Sequence, residues 1–493
     1  MLMSRSTGVF IAAFPAFLGV AEDVLRIALI SEFSGSAWEQ DLKYLKGWDF
    51  VLDQIERVGG VPLAGVKWRV ESHNFDTRAE PDMTVPGIFE AIAAGRNASN
   101  HTVGDYHAVI AGTSLSNNQI KVAAQEVGIL NIHTSGGNPA AWKASQTFAF
   151  GLHLPFTTYT RGPIRLGALR GLKTIGIIRT AAHGFAKASC IAALDWAMGS
   201  GVRVVGPSVE WCRAHMDKTG ECRLVGTGDS ERCVCGAQTD VGALGFKYDI
   251  ESMPTFYELD ENIIGDGLVI GQVDAETTSF VRSIFQDMRS QGDMPDMLLN
   301  FAYEHLNVVN AMRLEDYAPQ MIFGWQRTTP PDWADDDGAI LNATHGVGAI
   351  GFGQWHHAMK FSDPLFGSNA MATRLYQERY GVIMDYNIAG YVAAGAVIYK
   401  AFSSYASASF GSMSISEQRD ELRLAVGSMN DETMWGLVRF NRHNQNAGRE
   451  TAAWQIWPNE AGELEQLCVI PTEAAQTELR IPFPSWDSRF GCP

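Results

Sequence analysis

Residues 106–142, YHAVIAGTSLSNNQIKVAAQEVGILNIHTSGGNPAAW, decide the fold. An apolar run through Val109 and Ile110 predicts a buried strand that ends near Gly112. Apolar residues recur at helical spacing from Ile120 to Val127, and residues 129–132 predict a second strand. The stretch is therefore a strand, a helix and a strand, the unit from which parallel α/β sheets are built.

A turn of small polar residues follows each of these two strands, Thr113–Asn117 after the first and Thr134–Asn138 after the second. Because the carboxyl ends of parallel strands meet at one edge of a sheet, we expect both turns to border the same crevice. Hydroxyls and unpaired N–H groups at helix N-termini would suit a carboxylate there. Helix capping and tight turns use the same residue types, so this simpler explanation stays open.

The composition indicates a globular chain with enough apolar content for two lobes. The chain has 493 residues, of which 46% are hydrophobic and 19% charged. A formal charge of -17 and an isoelectric point near 5.2 disfavour a nucleic-acid or anionic-membrane partner, because binding either needs clustered Lys and Arg.

The N-terminus has the pattern of a secretory signal peptide, which we place at residues 1–21. Arg5 precedes an apolar segment from Val9 to Val20, and the small residues that end at Ala21 precede the charged pair Glu22-Asp23. No later stretch approaches the ~20 apolar residues of a membrane-spanning helix. The expected protein is secreted, extracellular or periplasmic, without direct membrane insertion.

The cysteine pattern agrees with an oxidising compartment. Ser208–Phe256 is rich in Cys and Gly without clear periodicity, which predicts an insertion at a surface edge. We expect disulfides among the cysteines, apart from Cys190, which is expected to be a buried free thiol in a helix. The other cysteines are Cys212, Cys222, Cys233, Cys235, Cys468 and Cys492, and the sequons at Asn97, Asn100 and Asn342 would be glycosylated in a eukaryote.

Strands and helical segments alternate on both sides of the deciding stretch. A strand at Val24–Ile30 and a helix over residues 42–58 precede it, and a second series begins near Phe148. This alternation predicts right-handed βαβ units and two doubly wound parallel sheets. Met434–Asn441 and Ala452–Trp457 are expected to be closing strands.

Several motifs, in this order along the chain, resemble the type I periplasmic-binding-protein fold of branched-chain amino-acid-binding proteins and receptor ligand-binding regions. The resemblance covers roughly residues 24–460, apart from the insertion. It rests on Ile27–Ile30 with Ser34-Gly35, Ile55–Val61, Ala111–Ser116, Gly128–Pro139, Tyr380-Gly381 with Tyr391–Ala401, and Trp435–Asn441 with Gln445-Asn446.

The resemblance implies two doubly wound lobes joined by a hinge with three crossings of the chain. Lobe 1 would take residues 24–153 and 355–445. Lobe 2 would take residues 154–354, with the insertion at 208–256, and residues 446–470. Residues 471–493 would form a C-terminal tail.

The resemblance also implies ligand-binding residues. Ser116 matches the family's carboxylate-binding serine, with Ser114 in the same turn. Ser135, Gly136 and Gly137 match a segment that binds the ammonium and carboxylate groups. The usual Ala-Thr is replaced here by two glycines, so one hydroxyl contact to a plain amino acid is missing.

Further candidates come from the other lobe and from the first turn of the chain. His183 falls where the family often has Tyr-Gly, and Tyr303 and Glu304 follow a strand near the family's aromatic and acidic positions. Trp38, in the turn after Ser36, could stack on a ligand. A loop histidine, an exposed carboxylate at a helix start and a core tryptophan are the structural alternatives.

The expected function is solute binding: two lobes close over a small polar ligand, an amino acid or a related amide or organic acid. Uptake or sensing would then need a membrane transporter or receptor as partner. No cofactor and no catalytic turnover are expected. A ligand-binding ectodomain of a receptor is a second possibility.

A secreted serine hydrolase is the alternative from another class. Gly112–Ser116 nearly matches a nucleophile elbow with Ser114 as nucleophile and His443 or His356 as base, but its last position is Ser rather than Gly. Gly346–Gly351 fits a dinucleotide fingerprint, yet the sequence favours a glycine-rich strand and turn there. His356-His357 and Asp335–Asp337 are expected to be solvated surface.

Overall fold

The computed structural model describes residues 23–34, 38–78, 80–112, 117–139, 142–180, 184–208, 210–211, 222–225, 232–235, 257–259, 273, 275–301, 305–324 and 340–486. The predicted signal peptide lies outside these ranges. So do Cys212, Cys492 and Asp335–Asp337.

Helices and strands alternate through most of the described chain. The strands are β1 (Val24–Ser31), β2 (Val61–Leu63), β3 (Val66–Asp76), β4 (Ala108–Ala111), β5 (Leu130–His133), β6 (Ala149–Gly151), β7 (Thr174–Thr180), β8 (Arg203–Val204), β9 (Cys222–Val225), β10 (Arg232–Cys235), β11 (Tyr257–Leu259), β12 (Met297–Phe301), β13 (Met321–Gly324), β14 (Ile350–Gly353), β15 (Ser362–Asp363), β16 (Gly367–Ser368), β17 (Asn430–Thr433), β18 (Gly436–Arg439), β19 (Ala452–Pro458) and β20 (Leu464–Ile470). The helices are α1 (Trp38–Arg57), α2 (Pro81–Ala93), α3 (Asn117–Val127), α4 (Arg161–Leu169), α5 (Gly184–Gly199), α6 (Ala275–Ser290), α7 (His305–Leu314), α8 (Asn369–Tyr380), α9 (Tyr386–Tyr405) and α10 (Ile415–Gly427).

The first sheet contains the deciding stretch at its centre. Its described strands lie in the order β2-β3-β1-β4-β5-β6, and those from β3 to β6 run parallel. Apolar side chains cover both faces. One face packs on α1 and α9, and the other on α2 and α3. Burial on both faces explains why β1 and β4 are continuous apolar runs in the sequence.

The second sheet takes its strands from two separate parts of the chain. Its described order is β11-β7-β12-β13-β14-β19-β20, with β8 also paired to β7. Strands β7, β11, β12, β13 and β14 are parallel, and apolar cores again cover both faces. Two doubly wound sheets are therefore confirmed as the architecture.

The expectation of wholly parallel sheets is wrong at three strands. Strand β2 is antiparallel to β3 because only two residues, Ala64 and Gly65, join them, and both have positive φ. Strands β19 and β20 are antiparallel to their neighbours in the second sheet. The chain re-enters this sheet at the end where β14 leaves it, with Ala452 paired to Gly353, so β19 must run in the opposite direction.

The chain passes between the sheets three times: after β6, after β14 and before β19. Between the second and third passages, α8, α9 and α10 pack on the core of the first sheet. The predicted lobe boundaries follow these three passages, and we keep the boundaries as a proposal. The insertion at 208–256 also remains a proposal; of it the structure describes little beyond the hairpin of β9 and β10.

Local signals explain where the late helices begin. The Asp385 side chain caps α9 by accepting from the N–H groups of Asn387 and Ile388, at 2.9 and 2.8 Å. Ser414 and Glu417 form a capping box at the start of α10. Within the described residues, no helix is both long enough and apolar enough to cross a bilayer.

Two further expectations need correction. Met434–Asn441 is not a single closing strand, because Met434 and Trp435 form the turn of the β17–β18 hairpin, which forms a sheet of its own. Cys468 is a buried free thiol rather than half of a disulfide. Its Sγ donates to the Ile470 carbonyl, and burial raises the pKa of this thiol to about 12, which keeps it protonated.

Two other expectations hold. Cys190 is fully buried in α5. Gly346–Gly351 begins at the end of a 3₁₀ turn (Ala343–Gly346) and runs into the start of β14, which agrees with the expected glycine-rich turn and strand.

Candidate functional site

The two strands of the deciding stretch end side by side. Ala111 pairs with His133 in the parallel register of β4 and β5, and the Thr134 N–H donates to the Ala111 carbonyl at 2.9 Å. The turns that follow therefore start at one edge of the sheet, as predicted. The described part of the chain stops at Gly112 and resumes at Asn117, so Ser114 and Ser116 remain predictions.

The second turn, at Thr134–Asn138, contacts the segment that makes the first passage between the sheets. The Gly137 carbonyl accepts from the Phe156 N–H at 2.9 Å, and a Cβ built on Gly137 would lie 2.9 Å from the Leu154 carbonyl oxygen. Gly136 has a φ of +81°, which favours glycine. These contacts explain why two glycines stand where the resemblance implies Ala-Thr. Ser135 is half-buried, and its Oγ has no hydrogen-bond partner among the described residues.

A buried polar cluster lies beneath this turn, and the sequence analysis missed it. Trp142 Nε1 donates to the Gly136 carbonyl at 2.8 Å, and Lys121 Nζ lies 4.5 Å from the centre of the Trp142 ring. His133 contacts the same ring edge to face. Lys121 and His133 are fully buried. Burial lowers the pKa of Lys121 to about 8 and that of His133 well below its ordinary value.

The three passages between the sheets are joined to one another by hydrogen bonds. Gln354, fully buried in the second passage, accepts from the Leu154 N–H at 2.8 Å and donates to the Leu154 carbonyl at 3.0 Å. Its Nε2 also donates to the Tyr159 hydroxyl. From the third passage, Asn446 donates to the Leu152 carbonyl at 3.2 Å. The crossings therefore form one bonded hinge.

Ring side chains surround the first passage. His153 stacks on Trp435 with ring centres 6.0 Å apart, and the Tyr386 ring lies 6.2 Å away. Burial, aided by the Arg449 guanidinium, lowers the pKa of His153 to about 3, so this imidazole is neutral. A Cβ on Gly390 would lie 3.1 Å from the Thr134 carbonyl oxygen and 3.9 Å from His153 Nε2. The start of α9 therefore connects the strand tips with the hinge.

A cavity of about 230 Å³ opens beside the second passage, and we call it the hinge cavity. Trp454 and Gln466 come from β19 and β20 of the second sheet, whereas Asp385 and Tyr386 come from the start of α9, which packs on the first. Both halves of the molecule therefore contribute to its walls. The cavity is lined by Trp355, His356, His357, Ile383, Met384, Asp385, Tyr386, Trp454 and Gln466.

The two histidines of this cavity are not solvated surface, contrary to the expectation. His356 is only 4% exposed and His357 is half-buried. His356 Nδ1 accepts from the Ala358 N–H at 3.3 Å, which leaves Nε2 to donate to Gln466 Oε1 at 3.3 Å. Its ring stacks on Trp454, which comes from a distant part of the chain. Burial lowers the pKa of His356 to about 3, which makes it a poor general base.

Most of the remaining predicted ligand residues lie outside the described ranges. His183, Tyr303 and Glu304 do not belong to the described residues. Trp38 is the first residue of α1 rather than part of a turn. Of the predicted set, the structure therefore places Ser135, Gly136 and Gly137 together at the edge of the first sheet.

Comparison with known proteins gives no match by sequence. No family model matches the chain, and no curated protein matches it.

Solved structures, in contrast, match nearly the whole chain. A putative branched-chain amino acid ABC transporter protein from Silicibacter pomeroyi has a TM-score of 0.62 at 14% identity, over 93% of this chain and 99% of its own. An ABC transporter substrate-binding protein from Desulfitobacterium hafniense, in complex with Leu, has a TM-score of 0.56 at 13% identity, over 90% and 100%. A solute-binding protein from Rhodopseudomonas palustris, in complex with 3,4-dihydroxybenzoic acid, has a TM-score of 0.55 at 11% identity, over 95% of this chain and 100% of its own.

The chain has the type I periplasmic-binding fold. The identities are low, so the likeness establishes the architecture and leaves the ligand to be argued from the residues.

Proposed function

We propose that this protein is an extracytoplasmic solute-binding protein whose two lobes close over a small polar ligand. The observation that carries the proposal is the bonded hinge. Three passages of the chain, linked through Gln354 and Asn446, join two sheets beside a cavity that both halves line. A hinge next to a shared cleft is the usual basis of ligand-driven domain closure.

The ligand class we propose is an amino acid or a related amide or organic acid. The strand tips at Ala111 and His133 support it, since the turns after them are rich in hydroxyl and amide groups. The similar proteins from D. hafniense and R. palustris carry Leu and an aromatic acid in their structures, which supports a small organic solute.

Closure would follow from contacts that the ligand makes with both lobes. In the open form a ligand would contact only the first lobe, and on closing it would gain contacts with the second. It would therefore bind the closed form more tightly, which shifts the equilibrium from open to closed. Ser135 would face the ligand from the first lobe, and His183, Tyr303 and Glu304 would approach from the second.

The proposed location is extracellular or periplasmic, with residues 1–21 as the signal peptide. Uptake or sensing would then require a membrane transporter or receptor that recognises the closed form. The similar structures include ABC transporter proteins, which supports a transporter as the partner.

A thermal-shift screen of the secreted chain against amino acids, amides, urea and short organic acids tests the proposal. We expect at least one solute to raise the melting temperature, because a ligand that binds only the folded form stabilises it. A screen without a hit, together with labelling of Ser114 by a fluorophosphonate, would contradict solute binding and favour the hydrolase.

A further inference from the structure

The hinge cavity has its own chemistry, distinct from that of the strand-tip turns. None of the turn residues Ser135, Gly136 and Gly137 lines it. Trp454 and Gln466 approach from the second sheet, and the start of α9 faces them. A molecule in this cavity would therefore contact both lobes beside the second passage.

Rings form most of the cavity wall. Trp355, Tyr386 and Trp454 contribute aromatic side chains, and two imidazoles lie between them. The His356 ring stacks on Trp454 with ring centres 5.0 Å apart, and the His357 ring lies tilted against it at 4.3 Å. Such a wall offers polarisable surface with partial negative charge on the ring faces, which favours apolar rings and organic cations.

The cavity has a single acidic side chain and two imidazoles. Burial lowers the pKa of both His356 and His357, which favours their neutral forms. Asp385 provides the one carboxyl group among the described residues that line the cavity. Burial raises the pKa of this carboxyl, whereas the Asn387 and Ile388 N–H groups and Lys43 of α1 act to lower it. Lys43 is exposed to solvent and does not line the cavity.

One oxygen of this carboxylate remains available. Both backbone N–H groups that Asp385 caps donate to Oδ1, and no described residue donates a hydrogen bond to Oδ2. Asp385 is exposed at the rim, so a ligand can reach Oδ2. A charge-assisted bond from an ammonium group would suit this position.

The volume limits the ligand to about one ring with a short substituent. The cavity measures about 230 Å³. An apolar cavity of about 150 Å³ holds benzene, so the remaining space accommodates a few more heavy atoms.

We propose that the hinge cavity binds the amine-bearing part of the solute, a small organic cation of about one-ring size. The inference rests on the proposed function, because a ligand that bridges the lobes here is one that would drive their closure. The ammonium would bond to Asp385 Oδ2, and its organic part would lie against Trp355, Tyr386 and Trp454.

Three matched probes test this assignment by isothermal titration calorimetry on the full secreted chain. They are 2-phenylethylamine, which is cationic at neutral pH, 2-phenylethanol, which is neutral, and 3-phenylpropionate, which is anionic. We expect the amine to bind about tenfold tighter than the alcohol, and the carboxylate to bind weakest.

The variant Asp385→Asn removes the charge and keeps an oxygen that can cap α9. We expect it to weaken amine binding about tenfold and to leave alcohol binding unchanged. Asp82→Asn is the matched control. Asp82 is an exposed carboxylate in the first turn of α2, does not line the hinge cavity, and accepts from Gln119 through an oxygen that Asn retains.

Equal binding of amine and alcohol, or an Asp385→Asn protein that binds the amine like the parent, would overturn the cation site. If an amino acid or organic acid from the thermal-shift screen binds while the amine does not, this inference fails and solute binding stands. If neither the screen nor the probes yield a ligand, the proposed function itself fails.

Discussion

Gln354 provides the sharpest test of the bonded hinge. Its side chain is fully buried and bonds both backbone groups of Leu154 and the Tyr159 hydroxyl, so it ties the second passage to the first. The change Gln354→Leu keeps much of the volume and removes all three bonds. A buried polar group that loses its partner costs about 1–3 kcal/mol.

Three groups lose their partner in Gln354→Leu, and the added apolar contact offsets part of this cost. We expect the free energy of unfolding to fall by about 3–5 kcal/mol. Most domains of this kind have about 5–15 kcal/mol in total, so the variant should still fold. Urea unfolding followed by circular dichroism measures the loss. Spin labels on the two lobes report the distribution of distances between them, and we expect this distribution to be broader in the variant.

Gln455→Leu is the matched control for this experiment. Gln455 is 1% exposed and bonds the Gly348 and Arg480 carbonyls and the Arg480 N–H, at 2.9, 2.8 and 3.0 Å. These bonds join β19 to the C-terminal segment and to the turn before β14, rather than one passage to another. We expect a similar loss of stability without a change in the interlobe distance. If Gln354→Leu leaves both stability and distance unchanged, Gln354 is not part of a hinge.

Three further predictions concern buried groups. His356 has a folded-state pKa of about 3, below its ordinary 6.5. The unfolded chain therefore binds more protons than the folded chain between these pH values, and the free energy of unfolding decreases as the pH is lowered. The loss is about 2 kcal/mol for this histidine between pH 7 and pH 5; His356→Gln should reduce the pH slope in urea titrations, and an unchanged slope would contradict its buried neutral state. Gly137→Ala should destabilise the chain by about 1–3 kcal/mol, because its Cβ would press on a backbone carbonyl 2.9 Å away, whereas Gly199→Ala, with open space, should not; equal melting temperatures would refute the close contact. Cys468, buried with a raised pKa, should resist Ellman's reagent in the folded protein and react in urea, and rapid reaction without urea would refute its burial.

The sheets could be predicted from the sequence because their strands are short apolar runs between turns. Strand β1 spans Val24–Ser31, close to the expected Val24–Ile30, and β4 and β5 bracket a helix whose apolar spacing is plain. The antiparallel strands could not be predicted in the same way, since a buried strand has the same composition in either direction. Their direction depends on where the third passage re-enters the sheet.

The site was less accessible to sequence reasoning for a different reason. Gln354 bonds Leu154 across 200 residues, and His356 stacks on Trp454 in a strand that follows three helices later. No local pattern marks such contacts. The His356-His357 pair was visible, but only the fold shows that rings and a carboxylate surround it. Conversely, Gly136-Gly137 was noticed for a missing ligand contact, and the structure gives it a backbone reason.

The central claim is that a bound solute draws the two lobes together about the hinge. Leu424 on α10 and Leu169 on α4 are exposed, at 56% and 71%, and lie on opposite halves of the molecule. Spin labels at L424C and L169C, measured by double electron–electron resonance with and without a solute from the thermal-shift screen, test it directly. We predict a shorter and narrower distance distribution at saturating solute. An unchanged distribution, with binding confirmed by calorimetry, would contradict the claim.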